Sequence, residues 1–243
     1  MIDTFVAIDI ETTGLNPLEH QIIEVGALRV REGKVTDTLS ILINPQVSLP
    51  ERIVELTGIT DLMLFNQKDF QEQSSLIYDF IGEDPLLGHN IRFDYSFLKY
   101  HLGNSGYTIE NKVIDTLSIA KNLHPELVSR SLASMCEAYG LINKSAHRAY
   151  EDAHVTMELY FAMCNRLLAL PKEKKQELMK YTEPVSCYVK IKKQEPITPR
   201  QKLYLNDLLK YHKINKAIEI EKMTKSQASK AIDQIILKYG RMR

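Results

Sequence analysis

Apolar and polar positions along the first 44 residues predict a β-rich beginning to the chain. Thr4–Glu11 is rich in β-branched and apolar residues and predicts a strand. Gln21–Val30 and Val35–Asn44 predict two more strands, joined by the turn-like segment Arg31–Lys34. The first part of the chain is therefore expected to form a three-stranded meander.

Further along, short apolar runs typical of strands alternate with segments of helical spacing. Strands are predicted at Leu86–His89 and Val113–Ile114. Helices are predicted over Asp69–Ile81, Arg92–Leu102, the segment after Ile114 up to Leu123, Ser131–Tyr139 and the amphipathic segment Ala153–Leu168. Strands first, and then strands alternating with helices, predict an α/β fold whose sheet contains strands in both directions.

The last quarter of the chain predicts a separate organisation. The charge-rich segment Pro171–Lys180 is expected to extend the last helix of the α/β domain, which would span residues 1–180. A proline-containing linker, residues 181–197, could hold one strand at Ser186–Ile191. Residues 198–243 then predict a small helical module, because two Thr-x-x-Gln capping boxes, Thr198–Gln201 and Thr224–Gln227, each precede an amphipathic stripe.

Composition adds a charge asymmetry to this picture. The 243 residues are 44% hydrophobic and 26% charged, as in an ordinary globular protein with a sizeable core. The net charge of zero conceals an acidic body and a basic end. Residues 1–182 hold 17 Lys and Arg against 25 Asp and Glu, whereas residues 183–243 hold 14 against 6. Such a basic end indicates contact with nucleic acid or with an acidic partner.

The cysteines and the lengths of the apolar runs indicate in which cellular compartment the protein is expected. Cys136, Cys164 and Cys187 are odd in number and far apart, which indicates a reducing compartment and no disulfide framework. The early Asp3 and the lack of a basic start do not fit a secretory signal, and no apolar run is long enough to span a membrane. We therefore expect a cytoplasmic protein with no membrane partner.

Asp9 and Glu11 are the first candidate functional residues. They are two apart at the end of an apolar strand, so they project from one face, at the edge of the sheet where α/β proteins bind ligands. Two such carboxylates could share a pair of metal ions. Taken alone, an Asp-x-Glu pair is more often two solvated acids at the end of a strand.

Asp94 lies on the apolar stripe of its predicted helix, together with Phe97, Leu98, His101 and Leu102. A carboxylate in that position is costly unless it is paired or bound to a metal. A buried salt bridge, or a charge at the helix N-terminus, explains Asp94 equally well when it is considered alone.

His147 and Asp152 are five residues apart, which places them about 140° apart around a helix. They cannot share a helical face, so we expect His147 in the preceding loop and Asp152 in the first helical turn. Considered alone, His147 fits a surface loop better than a catalytic site.

Together these residues form an ordered pattern: Asp-x-Glu-Thr-Thr-Gly, then His-Asn-x-x-Phe-Asp, then His-Arg-Ala-x-x-Asp. This pattern resembles the three motifs of the DEDDh family of 3′→5′ exonucleases over about residues 1–170. The segments Leu56–Thr60 and Val113–Leu117 are similar to segments between the motifs of its proofreading-type members. The resemblance implies a ribonuclease-H-like fold, with a mixed five-stranded sheet flanked by helices.

The resemblance also implies roles for individual residues. Asp9 would bridge two Mg²⁺ or Mn²⁺ ions, Glu11 and Asp152 would complete the site of one ion, and Asp94 that of the other. His147 would be the general base for the attacking water. Positions expected near the 3′-terminal nucleotide are Thr12, Thr13, Leu15, Ile59, His89, Asn90 and Phe93. Oxygen-rich ligation fits Mg²⁺ or Mn²⁺ better than Zn²⁺.

The expected function is therefore 3′→5′ hydrolysis of single-stranded DNA ends in proofreading or repair, with a polymerase or another replication or repair protein as a candidate partner. An RNA or short-oligonucleotide exonuclease and a non-catalytic nucleic-acid-binding subunit are the alternatives. The basic module could contact phosphates, dock a protein, or have no ligand. Its candidate phosphate contacts are Lys190, Lys192, Lys193, Arg200, Lys202 and Lys210. Its sequence shows no interleaving of aromatic and basic residues of the kind that stacks bases.

Overall fold

The structure is a computed structural model that describes residues 1–189, 195–214, 220 and 223–241. The chain divides into two compact units, Met1–Val189 and Lys190–Arg243. Each unit has a hydrophobic core of its own. Among the described residues, no helix combines the length and the apolar character needed to cross a membrane.

A mixed sheet forms the centre of the first unit. Its strands are β1 (Phe5–Thr12), β2 (Ile22–Arg31), β3 (Lys34–Leu42), β4 (Leu86–Gly88), β5 (Lys112–Asp115) and β6 (Val185–Ser186). Their order is β3-β2-β1-β4-β5-β6. The first three strands form the predicted antiparallel meander, β4 and β5 lie parallel to β1, and β6 is antiparallel to β5.

The expected mixed sheet is confirmed, but it has six strands where five were predicted. The sixth strand, β6, pairs Val185 with Val113 and Ser186 with Lys112 at the edge of the sheet. A strand of two residues is too short to show a period in the sequence. The strand expected at Ser186–Ile191 is wrong in its bounds, because Cys187–Val189 have no strand structure; residues 190 and 191 lie outside the described part.

Eight α-helices surround the described sheet. They are α1 (Glu51–Thr57), α2 (Asp61–Leu64), α3 (Phe70–Ile81), α4 (Arg92–Asn104), α5 (Thr116–Leu123), α6 (Leu132–Tyr139), α7 (Ala149–Leu168) and α8 (Lys172–Met179). The sequence did not predict α1 and α2. Residues Pro171–Lys180 do not extend α7 as expected, because Pro171 begins a separate helix instead.

The two faces of β1 pack against different layers of helices. Val6, Ile8 and Ile10 belong to the core shared with α3 and α4. Phe5 and Ala7 belong to the core shared with α5, α6 and α7. Because side chains alternate along a strand, the next two positions of the Phe5–Ala7 series are Asp9 and Glu11, so both acids project on the side of α7.

The described part of the second unit contains two helices, α9 (Pro199–Tyr211) and α10 (Lys225–Tyr239). Both predicted capping boxes are confirmed: each threonine accepts a hydrogen bond from the backbone N–H of the glutamine three residues on. Leu205, Leu208 and Ile235 form the buried centre of the contact between the helices. Lys190, Lys192 and Lys193, which were predicted to contact phosphates, lie outside the described residues.

Candidate active site

The candidate site is built where the carboxyl end of β1 meets the first turn of α7. In the pairing of β1 with β2, Asp9 lies opposite Gly26 and Glu11 lies opposite Glu24. The backbone of Ala149 and Tyr150 covers Gly26 so closely that a Cβ atom there would lie 2.1 Å from the amide nitrogen of Tyr150. This close approach places the start of α7 beside the two acids of β1.

Glu11, His147 and Asp152 form a compact group in which one ligand atom from each lies within 4.8 Å of the others. His147 precedes α7 and is exposed, and Asp152 is buried in the first turn, as predicted. The backbone N–H of His147, which has a φ of +63°, donates to Asp152 Oδ2 at 3.0 Å. The loop therefore holds His147 at the edge of the acidic group.

Asp94 joins the site from α4, on the other side of β1. Its buried side chain accepts a hydrogen bond from the backbone N–H of Ile10 at 3.1 Å. The neighbouring strand β4 ends at Gly88, and α4 begins four residues later. The first turn of α4 therefore brings Asp94 to Ile10 of β1, the residue between Asp9 and Glu11. Asp94 is consequently held by a backbone N–H, and the buried salt bridge considered as an alternative is not what satisfies it.

The electrostatics of the site oppose full ionisation of its four carboxylates. Burial raises the pKa of Asp9 well above its usual value, and the charges of Asp94, Asp152 and Glu11 raise it further. Burial and the charges of Asp152 and Glu24 raise the pKa of Glu11 to about 8. Burial also raises the pKa of Asp94, where backbone N–H donors oppose the shift, and of Asp152, where the Asn143 amide and the His147 N–H oppose it.

This set of donors fits a divalent cation. Four carboxylates in a partly buried place repel one another, and a bound cation relieves that repulsion. Oxygen donors supplied mainly by carboxylates are the ligands that Mg²⁺ and Mn²⁺ prefer. Asp9, Glu11, Asp94 and Asp152 could therefore hold the metal, with His147 at the exposed edge.

An ion pair between the buried Glu24 and the partly exposed Arg148, which was not predicted from the sequence, connects the site to β2. Glu24 is 1% exposed, and both of its carboxylate oxygens accept hydrogen bonds from Arg148, the shortest at 2.7 Å. Glu24 also accepts the backbone N–H of Ala149 at 3.0 Å. The pair fixes the residue that follows His147. An acid within the apolar run of β2 was the signal that could have identified it.

Asn143 was also missed. Its side-chain amide donates to Asp152 Oδ1, and this hydrogen bond helps to keep the carboxylate oriented. Asn143 lies nine residues before Asp152, in a loop without helical or strand periodicity, so no spacing rule connects the two residues.

The residues expected to contact the 3′-terminal nucleotide have different environments. Leu15 is 84% exposed, Asn90 is exposed, and Phe93 is half-buried against Phe97. The Ile59 side chain is fully buried. The other three use their polar atoms within the fold. The hydroxyl of Thr12 donates to Gly14, that of Thr13 accepts the Gln21 N–H, and the His89 ring bonds Thr116 and the Arg130 carbonyl. Their contacts with a nucleotide stay predictions.

Comparison with protein families identifies one matching family. The model of the exonuclease family described as RNase T matches residues 6–160, which include all five motif residues. The DNA polymerase III subunit epsilon of Aquifex aeolicus is 34% identical over 165 residues, which cover 68% of this chain and 82% of that protein. A PolC-type DNA polymerase III from Clostridium perfringens is 36% identical over 157 residues, 65% of this chain. The chain spans only 11% of the length of that relative.

Solved structures share the fold. The nuclease domain of 3′hExo, a DEDDh family member bound to rAMP, superposes with a TM-score of 0.58 at 21% identity, covering 68% of this chain and 92% of that one. Escherichia coli exonuclease I in a zinc-bound complex with single-stranded DNA has a TM-score of 0.62 at 20% identity, covering 74% and 43%.

The family match and the epsilon relative rest on sequence, whereas the solved structures support the fold alone. The residues of the three motifs lie on β1, on α4, and on α7 with the loop before it. The chain therefore belongs to the DEDDh family of metal-dependent 3′→5′ exonucleases.

Proposed function

We propose that this protein removes nucleoside monophosphates from the 3′ ends of single-stranded DNA, in proofreading or repair. The observation that supports this most directly is the group of Glu11, His147 and Asp152, with Asp9 and Asp94 beside it, in a chain whose relatives include a polymerase III epsilon subunit. The proposed chemistry is hydrolysis assisted by two Mg²⁺ or Mn²⁺ ions. A polymerase is the proposed partner, since the relatives named above are polymerase components.

Each residue of the group has a proposed role. Asp9 would help to hold both ions, Glu11 and Asp152 would hold one of them, and Asp94 would hold the other. When bound, the ions would lower the pKa of water and stabilise charge on the leaving 3′-oxygen. His147 would accept the proton of the attacking water at a ring nitrogen. The Glu24–Arg148 pair and the Asn143 amide would position His147 and Asp152.

The test compares matched 5′-labelled single-stranded DNA and RNA, incubated with purified protein and Mn²⁺, with Asp9→Ala alongside. We expect the DNA to shorten stepwise from its 3′ end, and no shortening with the variant, because loss of the bridging carboxylate removes the metal site. Faster cleavage of RNA would favour an RNA exonuclease, which the fold neighbour bound to rAMP makes the second candidate. Binding of both strands without cleavage would point to a non-catalytic subunit.

A further inference from the structure

The second unit carries a strong positive charge on a defined framework. Residues 190–243 contain 14 Lys and Arg against five Asp and Glu. Gln201, near the start of α9, donates to the Lys225 carbonyl and to Ser229 at the start of α10. His212, at the end of α9, bonds the carbonyl of Gly240, at the end of α10, over 3.0 Å. The two helices therefore run in the same direction, and their C-termini lie together.

A row of three aromatic rings lies at this C-terminal end. The rings of Tyr211 and His212 are 4.9 Å apart, and those of His212 and Tyr239 are 5.6 Å apart. The Tyr239 residue is 47% exposed, and Tyr211 is 53% exposed. The aromatic residues that are scattered in the sequence thus form one accessible surface in the folded unit.

Positive residues lie next to the residues of the row in the sequence. Lys210, Lys213, Lys238 and Arg241 are all exposed, and the Lys238 ammonium lies 5.3 Å from the centre of the Tyr239 ring. The segments 208–214 and 234–241 contain no acidic residue. Favourable interaction with the helix C-termini explains basic residues in the last turns, but it does not explain two exposed tyrosine rings beside them.

We propose that this aromatic and basic surface binds single-stranded DNA. The unpaired bases would stack on Tyr211 and Tyr239, while the lysine and arginine side chains contact the phosphates, which is how sequence-tolerant single-strand binders work. A duplex would bind less well, because its bases are already stacked on one another. The inference rests on the proposed function in one respect: the bound strand would be the one whose 3′ end is hydrolysed.

The test measures binding of fluorescein-labelled dT30 to the full chain by anisotropy, in EDTA to prevent cleavage. The double variant Tyr211→Ala/Tyr239→Ala is expected to bind about tenfold more weakly or worse, whereas Tyr211→Phe/Tyr239→Phe, which keeps both rings, should bind like the wild type. The affinity of the quadruple variant K210S/K213S/K238S/R241S should depend less on salt. In a plot of the logarithm of the association constant against the logarithm of the salt concentration, the slope should be smaller in magnitude by roughly 0.7 for each lost phosphate contact.

The matched control is Lys174→Ala, which removes one exposed positive charge from α8 in the first unit and should leave dT30 binding within about twofold of the wild type. The proposal is overturned if both the alanine pair and the quadruple variant bind dT30 like the wild type. It is also overturned if the alanine and phenylalanine pairs lose equal affinity, if Lys174→Ala weakens binding as much as the alanine pair, or if a 30-base-pair duplex binds as tightly as dT30.

Failure of the proposed function would have a different signature. Cleavage of dT4 in Mn²⁺ reports on the catalytic site and should be the same in the wild type and the alanine pair. A wild-type protein that binds dT30 through the tyrosines but cleaves neither dT4 nor dT30 would refute the proposed exonuclease substrate and leave the binding surface established.

Discussion

His147 is positioned by its backbone, because its N–H bonds Asp152 and its neighbour Arg148 is fixed by Glu24. The ring can therefore be removed without disturbing the turn. We expect His147→Ala to lower kcat on single-stranded DNA by roughly 10²–10⁴, the range for loss of a general base. Calorimetry should show that Mn²⁺ affinity changes only a few-fold, since the four carboxylates remain.

The control for this variant is His154→Ala, which removes a half-buried histidine from the second turn of the same helix. It should retain the wild-type rate. A full rate in His147→Ala would refute the role as base, and a loss of Mn²⁺ affinity as large as the loss of kcat would make His147 a metal ligand instead.

The Glu24–Arg148 pair gives a second prediction at the same scale. Arg148→Ala would leave the buried Glu24 carboxylate with the Ala149 N–H as its remaining donor among the described residues, so the free energy of unfolding should fall by about 3 kcal/mol. Urea denaturation in EDTA measures this. Arg148→Lys should recover only part of the loss, because a lysine cannot reproduce the two-pronged contact.

Arg31→Ala is the matched control, since Arg31 pairs with Asp84, which also keeps Arg29 as a partner. Its cost should stay below about 1 kcal/mol. If Arg148→Ala costs no more than Arg31→Ala, the Glu24 pair does not stabilise the start of α7.

Single residues were predictable from the sequence only where local spacing exposed them. Asp9, Glu11 and Asp152 stand in short motifs whose geometry follows from strand and helix periods. Glu24 and Arg148 are 124 residues apart, so their contact exists only after the sheet and α7 have packed together. An acid in an apolar strand indicates that some partner exists, but it does not say which one.

At the scale of elements, Gly26 sets the distance between β2 and α7. A Cβ there would lie 2.1–2.4 Å from backbone atoms of Ala149 and Tyr150, and backbone cannot rotate away as a side chain can. We expect Gly26→Ala to displace the first turn of α7, which carries Asp152. The displacement should lower the free energy of unfolding by about 1–3 kcal/mol or more and weaken Mn²⁺ binding about tenfold or more.

Gly103→Ala is the control for this variant. Gly103 lies in α4 with no atom within 4 Å of an added Cβ, so alanine should leave stability unchanged or raise it by up to about 1 kcal/mol. Thermal unfolding measures the stability of both variants, and titration with Mn²⁺ measures their metal affinity. Wild-type metal affinity in Gly26→Ala would show that the α7 contact does not set the site.

Elements were predictable where the hydrophobic pattern was long. The three strands of the meander and the helices α3, α4 and α7 extend over enough residues for a period of two or 3.6 to emerge. The short helices α1 and α2 bury few residues, chiefly Thr57 and Leu64, and so leave little pattern. The two-residue β6 exists because its chain reaches the free edge of β5, which is a tertiary effect and not a local preference.

At the scale of the whole molecule, the carboxylate cluster makes stability depend on pH and on metal. Glu11 has a pKa raised from 4.5 to about 8, and the pKa of Asp9 and of Asp94 is raised as well. A group whose pKa is higher in the folded state binds more protons when folded. The contribution of this cluster to the stability of the metal-free protein therefore falls as the pH rises from about 4.5 to about 8.

Glu11→Gln should remove part of this dependence, since the amide does not ionise. In EDTA we expect the Tm of the variant to equal that of the wild type near pH 4.5 and to exceed it near pH 8. Saturating Mn²⁺ at pH 8 should reverse the order, because the cation binds the ionised wild-type site more tightly and stabilises only the folded state. The control is Glu55→Gln, which replaces an exposed acid on α1. Its Tm should equal that of the wild type both in EDTA and in Mn²⁺. If Glu11→Gln does not raise the Tm at pH 8 in EDTA, ionisation of Glu11 does not destabilise the folded protein. The carboxylate cluster would then not require a cation to offset its charge.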